Sequence, residues 1–273
     1  MPQFKKKVVL ITGASSGIGE GLAKQFAKQG AQLVLAARRV ENLQKLSDEL
    51  TKQGVETLVC RCDVTFAGDC EKMVESAMQK FGKIDVVVAN AGFGVVGKFE
   101  TLKPEDYRRQ FETNIYGVLN TLYASLNALK ASKGRLALVG SVTGFVTLPG
   151  NSPYTMSKHA IRSLSYALYY ELKSYGISVT HIAPGFVTSE IRRVDNLGNH
   201  HPQVQETLPK WIQMPTAKAA KKIVKAIYQR RRERILTGHG YWAVFAASHF
   251  PNLFAFLVGR VGLRARKQVQ ISK

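Results

Sequence analysis

The chain has 273 residues, of which 45% are hydrophobic and 21% charged. That mixture is too apolar for a disordered chain and too varied for a fibrous one, and the length is ample to bury an α/β core. Lys and Arg number 39 against 19 Asp and Glu, a formal charge of +20, which raises three anionic partners: nucleic acid, a membrane surface or a phosphorylated small molecule. The surplus lies late in the chain. Residues 201–273 hold 14 Lys and Arg but only Glu206 and Glu233, so +12 falls there.

In chain order, the apolar run Val8–Thr12 reads as a buried strand. Residues 18–30 read as a helix with Leu22 and Phe26 at i, i+4 and Gly30 at its end. Strands follow at 31–37, 56–60, 84–89, 135–140 and 177–183, and 235–236 belongs to a seventh. Helices are expected at 41–53, 68–81, 104–132 and 154–175. Wholly apolar strands separated by helices predict a doubly wound parallel α/β sheet of about seven strands, covered on both faces.

No internal repeat or Pro/Gly/Ser linker divides the chain, so residues 1–240 read as one domain. Residues 195–215 are the least regular part, with Pro202, Pro209 and Pro215, and fit a binding lid over about 186–215. Cys60, Cys62 and Cys70 form no C-x-x-C and have no spaced His, which favours packing in a reduced cytosolic core over a metal or disulfide. Met1 to Lys7 run straight into the first strand without a cleavable apolar stretch, so a cytoplasmic location is expected.

The first strand ends in Thr12-Gly13-Ala14-Ser15-Ser16-Gly17-Ile18-Gly19 and opens a helix. Small residues there let the backbone approach a diphosphate, and the helix start offers free N–H groups and a positive dipole. A ligand-free turn has the same composition, but the strand-before, helix-after context favours a dinucleotide. An NAD site usually places an acid at the end of the second strand, whereas this chain reads Leu35-Ala36-Ala37-Arg38-Arg39. An arginine pair suits the 2′-phosphate of NADP(H). Farther on, Tyr154 and Lys158 stand at i, i+4, on one helix face. A neighbouring ammonium favours the phenolate and tunes a tyrosine for acid–base work.

These motifs together closely resemble the short-chain dehydrogenase/reductase superfamily. Thr12-Gly13-x-x-x-Gly17-x-Gly19, Asn90-Ala91-Gly92, Asn114, Ser141, Tyr154-x-x-x-Lys158 and Pro184-Gly185 occur in the family's order over about residues 7–190. The resemblance implies a Rossmann-type sheet and a catalytic set of Asn114, Ser141, Tyr154 and Lys158. Tyr154 is then the acid or base at the substrate oxygen and Ser141 its hydrogen-bond partner. Lys158 binds the nicotinamide ribose, and Asn114 anchors a water path behind it. The implied NADP(H) contacts are Gly13, Ser15, Ser16, Gly17, Ile18, Gly19, Arg38, Arg39, Asp63, Val64, Asn90, Ala91, Gly92, Tyr154, Lys158, Pro184, Gly185, Val187 and Thr188. A homodimer or homotetramer is implied too, with Leu119, Leu126 and Leu168 on the helices concerned.

Two positions depart from the family pattern. Ala89 precedes Asn90 where a second Asn is usual, and Ser16 is neutral where many NADP-using members carry a base. Arg38 and Arg39 then bear the phosphate contact. No metal site is expected: His200-His201 reads as a surface pair and His181 as a structural strand residue. Trp211 and Met214 are equally candidates for substrate contact and for lid packing.

The segment 241–273 is a hydrophobic, basic extension rather than an independent domain. Trp242 to Gly259 contains no charged residue, nearly the length of a membrane span, but His249, Pro251 and Asn252 break it into two short helices. Arg230, Arg231, Arg232 and Arg234 precede it, and Arg260, Arg264, Arg266 and Lys267 close it. This composition fits peripheral membrane contact through 241–267 and equally fits packing over a pocket or a second subunit. Such extensions resemble those of lipid-active members, the 3-ketodihydrosphingosine reductases and 11β-hydroxysteroid dehydrogenase relatives. The expected activity is therefore reduction of a hydrophobic carbonyl, or its reverse, with an NADP(H)-binding regulator without turnover as the alternative. No nucleic-acid-binding motif is present to claim the charge.

Overall fold

A computed structural model describes residues 3–204 and 208–261; Glu206, Leu263, Arg264, Arg266 and Lys267 lie outside the described residues. The strands are β1 (Val8–Thr12), β2 (Gln32–Ala37), β3 (Thr57–Arg61), β4 (Val86–Ala89), β5 (Arg135–Val139), β6 (Ser178–Ala183) and β7 (Glu233–Ile235). They form one seven-stranded sheet in the order β3-β2-β1-β4-β5-β6-β7, every pair parallel. The order reverses between β1 and β4, and a ligand cleft is expected outside the carboxyl ends of the strands at such a switch.

The helices are α1 (Gly17–Ala27), α2 (Val40–Thr51), α3 (Ala67–Phe81), α4 (Pro104–Phe111), α5 (Gly117–Ser132), α6 (Ser152–Glu171), α7 (Thr216–Tyr228), α8 (Gly238–His249) and α9 (Pro251–Val261). Side chains alternate across each strand, so an all-apolar strand feeds two cores. Val9 and Ile11 of β1 join Leu22 and Phe26 of α1, Leu43 of α2 and Ile223 of α7 in one core. Val8 and Leu10 join Met73 of α3, Leu129 of α5 and Ile161 of α6 in the other. Fully burying each such side chain contributes roughly 1.5–3 kcal/mol.

Three differences from the sequence reading matter for the site. The single helix expected over 104–132 is two helices joined by a π turn at Glu112–Tyr116, inside which Asn114 is only 1% exposed. Hydrogen bonds from its side chain offset the poorer backbone geometry of the wide turn. Helix α7 was not among the expected elements, although Ala220, Ile223, Val224 and Ile227 give it a regular buried stripe. Finally, Arg230, Arg231 and Arg232 do not flank the apolar tail. They lie at the amino end of β7, whereas α8 follows its carboxyl end. Arg230 there donates to the carbonyls of Lys133 and Gly176, each at 3.1 Å.

The three cysteines are buried free thiols, and burial pushes the Cys60 thiol up to about 11. No metal-binding group of side chains occurs among the described residues.

Candidate active site

The carboxyl end of β1 turns into α1 through the glycine motif, and β4 holds that turn in place. Thr12 Oγ1 accepts from the backbone N–H groups of Asn90 at 3.1 Å and Ala91 at 3.2 Å. Asn90 Nδ2 donates back to the carbonyls of Thr12 at 2.9 Å and Gly13 at 3.2 Å. Gly19 is required by close approach, since a Cβ there would sit 2.1 Å from the Gly13 carbonyl oxygen. Ser16 stands at the helix N-cap but its side chain makes no capping bond, so it satisfies none of the N–H groups opening α1. Its Oγ instead accepts from Arg39 Nη2 at 2.8 Å.

Beyond β4 and β5 the polar groups are buried and interlocked. Asn114 Nδ2 donates to the Phe93 carbonyl at 3.1 Å and to Ser157 Oγ at 3.0 Å, while its Oδ1 accepts from Phe93 N at 3.2 Å. Ser157 Oγ donates in turn to the Tyr154 carbonyl at 2.7 Å. Lys158, from the same helix, donates to the Val139 carbonyl at 3.0 Å, and its Nζ lies 5.6 Å from the centre of the Tyr154 ring. Burial pushes the Lys158 ammonium down to about 8, because desolvation penalises the charged form. Gly92 closes this cluster: a Cβ there would meet Asn114 Oδ1 at 2.9 Å and Lys158 Nζ at 3.8 Å. Ser141 follows β5, and its Oγ accepts from Thr143 N at 3.1 Å and Thr143 Oγ1 at 2.9 Å.

The remaining candidates spread along the rim. After β6, Pro184 accepts from Val142 N at 2.8 Å, Val187 is buried and Thr188 N donates to the Met214 carbonyl at 3.0 Å. Asp63 and Arg38 line a cavity of about 370 Å³ together with Thr65, Phe93, Arg109 and Gly198. Val64 is packed in the core, where a Cβ at Gly117 would lie 2.5 Å from its Cγ2. Arg39 Nη2 also donates to Glu190 at 3.0 Å, and Arg38 Nη2 to the Gly198 carbonyl at 3.1 Å.

Met214 packs against the core, but Trp211 is 85% exposed. His200 and His201 are not free surface residues: each is largely buried, with Nε2 3.5 Å from Glu190 and 2.8 Å from Asp195 respectively. His181 is fully buried against Glu233 at 3.1 Å, and desolvation holds its ring below the usual histidine range.

The family model described as short chain dehydrogenase matches residues 7–199. The chain belongs to the short-chain dehydrogenase family, a family of oxidoreductases. It is 34% identical over 262 residues to a dehydrogenase/reductase SDR family protein 7-like of Dictyostelium discoideum, covering 93% of this chain and 81% of that protein. It is 39% identical over 187 residues to 11-beta-hydroxysteroid dehydrogenase A of Sesamum indicum, covering 68% of this chain and 53% of that one. Among solved structures, an alcohol dehydrogenase of the archaeon Thermococcus sibiricus, complexed with 5-hydroxy-NADP, is 31% identical with TM-score 0.74. That similarity covers 84% of this chain and 95% of the archaeal one. A short chain dehydrogenase/reductase of Burkholderia phymatum in complex with NAD is 26% identical with TM-score 0.82, covering 93% and 96%.

Sequence reasoning missed three of this dehydrogenase's polar residues. Ser157 bridges Asn114 to the Tyr154 turn, and its position between Tyr154 and Lys158 on a buried helix was an available signal. Gln110 holds the segment after β4 by donating to the Phe93 carbonyl at 2.9 Å and accepting from Val95 N at 2.6 Å. Glu190 meets Arg39 across a sequence separation of 151, for which no local pattern exists.

Proposed function

We propose that this dehydrogenase is an NADP(H)-dependent carbonyl reductase, working in either direction on a hydrophobic, lipid-like ketone and its alcohol. The observation that carries the reading is the buried Asn114–Ser157 linkage to the turn bearing Tyr154, with Lys158 one helical turn on and held by Val139, beside the glycine turn at the switch in strand order. The glycine turn fits a dinucleotide, because the N–H groups opening α1 have no cap from Ser16. Gly13, Ser15, Gly17, Ile18, Gly19, Asn90, Ala91, Gly92, Pro184, Gly185, Val187 and Thr188 would line its path, and Asp63 would meet the adenine. Arg38 and Arg39 would take the 2′-phosphate. Bound there, NADP(H) supplies a hydride to the carbonyl carbon or takes one from the alcohol.

Tyr154 gives its hydroxyl proton to the carbonyl oxygen in reduction and accepts one from the alcohol in oxidation. Both bonds that Ser141 Oγ receives come from Thr143, which leaves its own proton free to turn to the same oxygen. Lys158, fixed by Val139, favours the Tyr154 phenolate when charged and carries protons for a ribose hydroxyl. Asn114 holds the water path by which that lysine exchanges its proton.

The lipid-like substrate is supported by an apolar groove of about 610 Å³ along the 145–150 segment, downstream of Ser141. Phe145, Val146 and Leu148 form one wall and Phe254, Ala255 and Val258 of α9 the other. α8, α9 and the residue joining them present Trp242, Phe250, Leu253, Phe256 and Leu257, each more than half exposed. No helix among the described residues is long and apolar enough to cross a membrane. The reading is therefore of an enzyme at the cytoplasmic face of an anionic membrane, docked in the interfacial plane. Tyr123 of α5 and Tyr170 of α6, exposed beside half-buried Leu126 and Leu168, would pair the subunits of a homodimer. Residues 1–240 would act as one domain.

An NADPH-oxidation screen over long-chain 3-oxo lipids, steroids, retinoids and short keto esters tests the substrate class. The lipid ketones are expected to win by kcat/KM, and preference for the small esters would remove the lipid reading. A second expectation concerns pH. Lys158 is lowered to about 8 in the free protein, and an anionic dinucleotide favours its charged form, so binding raises its pKa. Affinity for NADPH is then full below about pH 8 and falls as pH rises through that value, by up to about tenfold per pH unit. Fluorescence titration at several pH values checks this, and Lys158→Met should flatten the slope. An unchanged slope in that variant would remove Lys158 as its source.

A further inference from the structure

The two arginines that would receive the 2′-phosphate are already engaged by the segment that follows β6. Arg39 donates through Nη2 to Glu190 Oε2 at 3.0 Å, and Arg38 donates through Nη2 to the Gly198 carbonyl at 3.1 Å. Glu190 lies directly over the glycine turn, since a Cβ at Gly17 would be 3.1 Å from the Cβ of neighbouring Ser189. The segment is tied down beyond it as well. Asn196 exchanges hydrogen bonds with the Val96 backbone at 2.8 and 3.0 Å, and Arg109 Nη1 donates to the Asn196 carbonyl at 3.0 Å.

From this we infer that Glu190 is a specificity-determining residue, an internal anion that competes with the adenosine 2′-phosphate for Arg39 and so moderates the preference for NADP(H) over NAD(H). This rests on the proposed NADP(H) reading. The chemistry of the pair fits competition. Both side chains are about one-third exposed, at 35% and 34%, so a ligand can reach between them and the bond is not a sealed structural pair. The Arg39 guanidinium and nearby His200 outweigh the desolvation that raises the Glu190 carboxyl, and hold it below the usual carboxylate range. It is therefore a full negative charge where the phosphate must come. A phosphate brings more charge and a third acceptor oxygen to the same guanidinium, so it displaces the carboxylate. The uncharged ribose hydroxyl of NAD(H) does not compete for the arginine, and an ionised Glu190 beside it can accept a hydrogen bond from it.

The test is titration calorimetry of the full chain and its variants with NADPH, NADH, 2′,5′-ADP and 5′-ADP. In Glu190→Gln, NADPH and 2′,5′-ADP should bind about fivefold tighter, the effect of removing one partly exposed competing ion pair. NADH and 5′-ADP should not tighten. Glu190→Ala should raise the NADPH-to-NADH affinity ratio in the same direction, which separates the lost charge from any misplacement by glutamine. Arg39→Met should erase the ratio in both backgrounds. If the wild-type protein prefers NADPH and neither Glu190 variant raises the ratio, the inference is overturned while the NADP(H) reading stands. If the wild-type protein binds both dinucleotides equally and Arg39→Met changes nothing, the NADP(H) reading fails and takes this inference with it.

Discussion

Tyr154→Phe is expected to lower kcat for carbonyl reduction by about 10²–10⁴-fold, the usual worth of a positioned acid, while NADPH binding is retained. The substitution removes one oxygen and keeps the ring. The ring face stays against Gly94, where a Cβ would lie 3.4 Å from Tyr154 Cδ2. Lys158 keeps its 3.0 Å bond to Val139, and Ser157 bonds the Tyr154 backbone carbonyl rather than its side chain. What disappears is the hydroxyl proton that the proposed mechanism gives to the substrate oxygen. A serine hydroxyl such as Ser141 can hydrogen-bond the developing alkoxide but is too weak an acid to protonate it, so Ser141→Ala should cost less. Single-turnover NADPH oxidation reads the chemical step, and the NADPH-induced rise in Tm reads binding. A phenylalanine variant within tenfold of wild type would remove Tyr154 as the donor.

The parts of this site that were legible beforehand are those whose chemistry is local in sequence. An all-apolar run flanked by helical periodicity has one stable solution, a strand buried on both faces, and β1, β4 and β5 obey it. The Gly17-x-Gly19 spacing is local because Gly19 must admit the carbonyl oxygen of Gly13 from the same turn. Tyr154 and Lys158 are local because i, i+4 is a property of one helix. The less legible parts depend on distance and on register. Nothing near Glu190 announces that it meets Arg39, and nothing near Asn196 announces its exchange with Val96. The π turn around Asn114 is also hidden, since apolar periodicity continues on both sides of it. Runs of charge mislead for the same reason. Arg230 to Arg232 look like neighbours of Trp242 in sequence, yet the β7 strand sets them at the opposite end of the sheet, where Arg230 braces two loops.

That displacement sharpens what the tail would do at the proposed membrane surface. With those arginines at the far edge, the cations near the tail among the described residues are Arg260, whose guanidinium lies 4.2 Å from the Phe256 ring centre, and exposed Lys98, which also lies 3.5 Å from Glu100. Insertion of the outward apolar side chains would then add a share of the affinity that salt does not screen. The variant Leu253→Gln, Phe256→Gln, Leu257→Gln is accordingly expected to lower partitioning onto phosphatidylserine-containing vesicles by about a hundredfold or more, since fully burying each such side chain is worth roughly 1.5–3 kcal/mol. The three residues face outward, each more than half exposed, whereas Phe254 and Val258 line the groove and are left intact. Turnover of a soluble short-chain ketone and the NADPH-induced rise in Tm should therefore be unchanged, while KM for a vesicle-presented lipid ketone rises. Vesicle co-sedimentation at low and high salt separates the two contributions, because salt screens the cations but not the apolar faces. Wild-type binding that is lost entirely in high salt and untouched by the triple variant would transfer the role from the α8–α9 face to the charge.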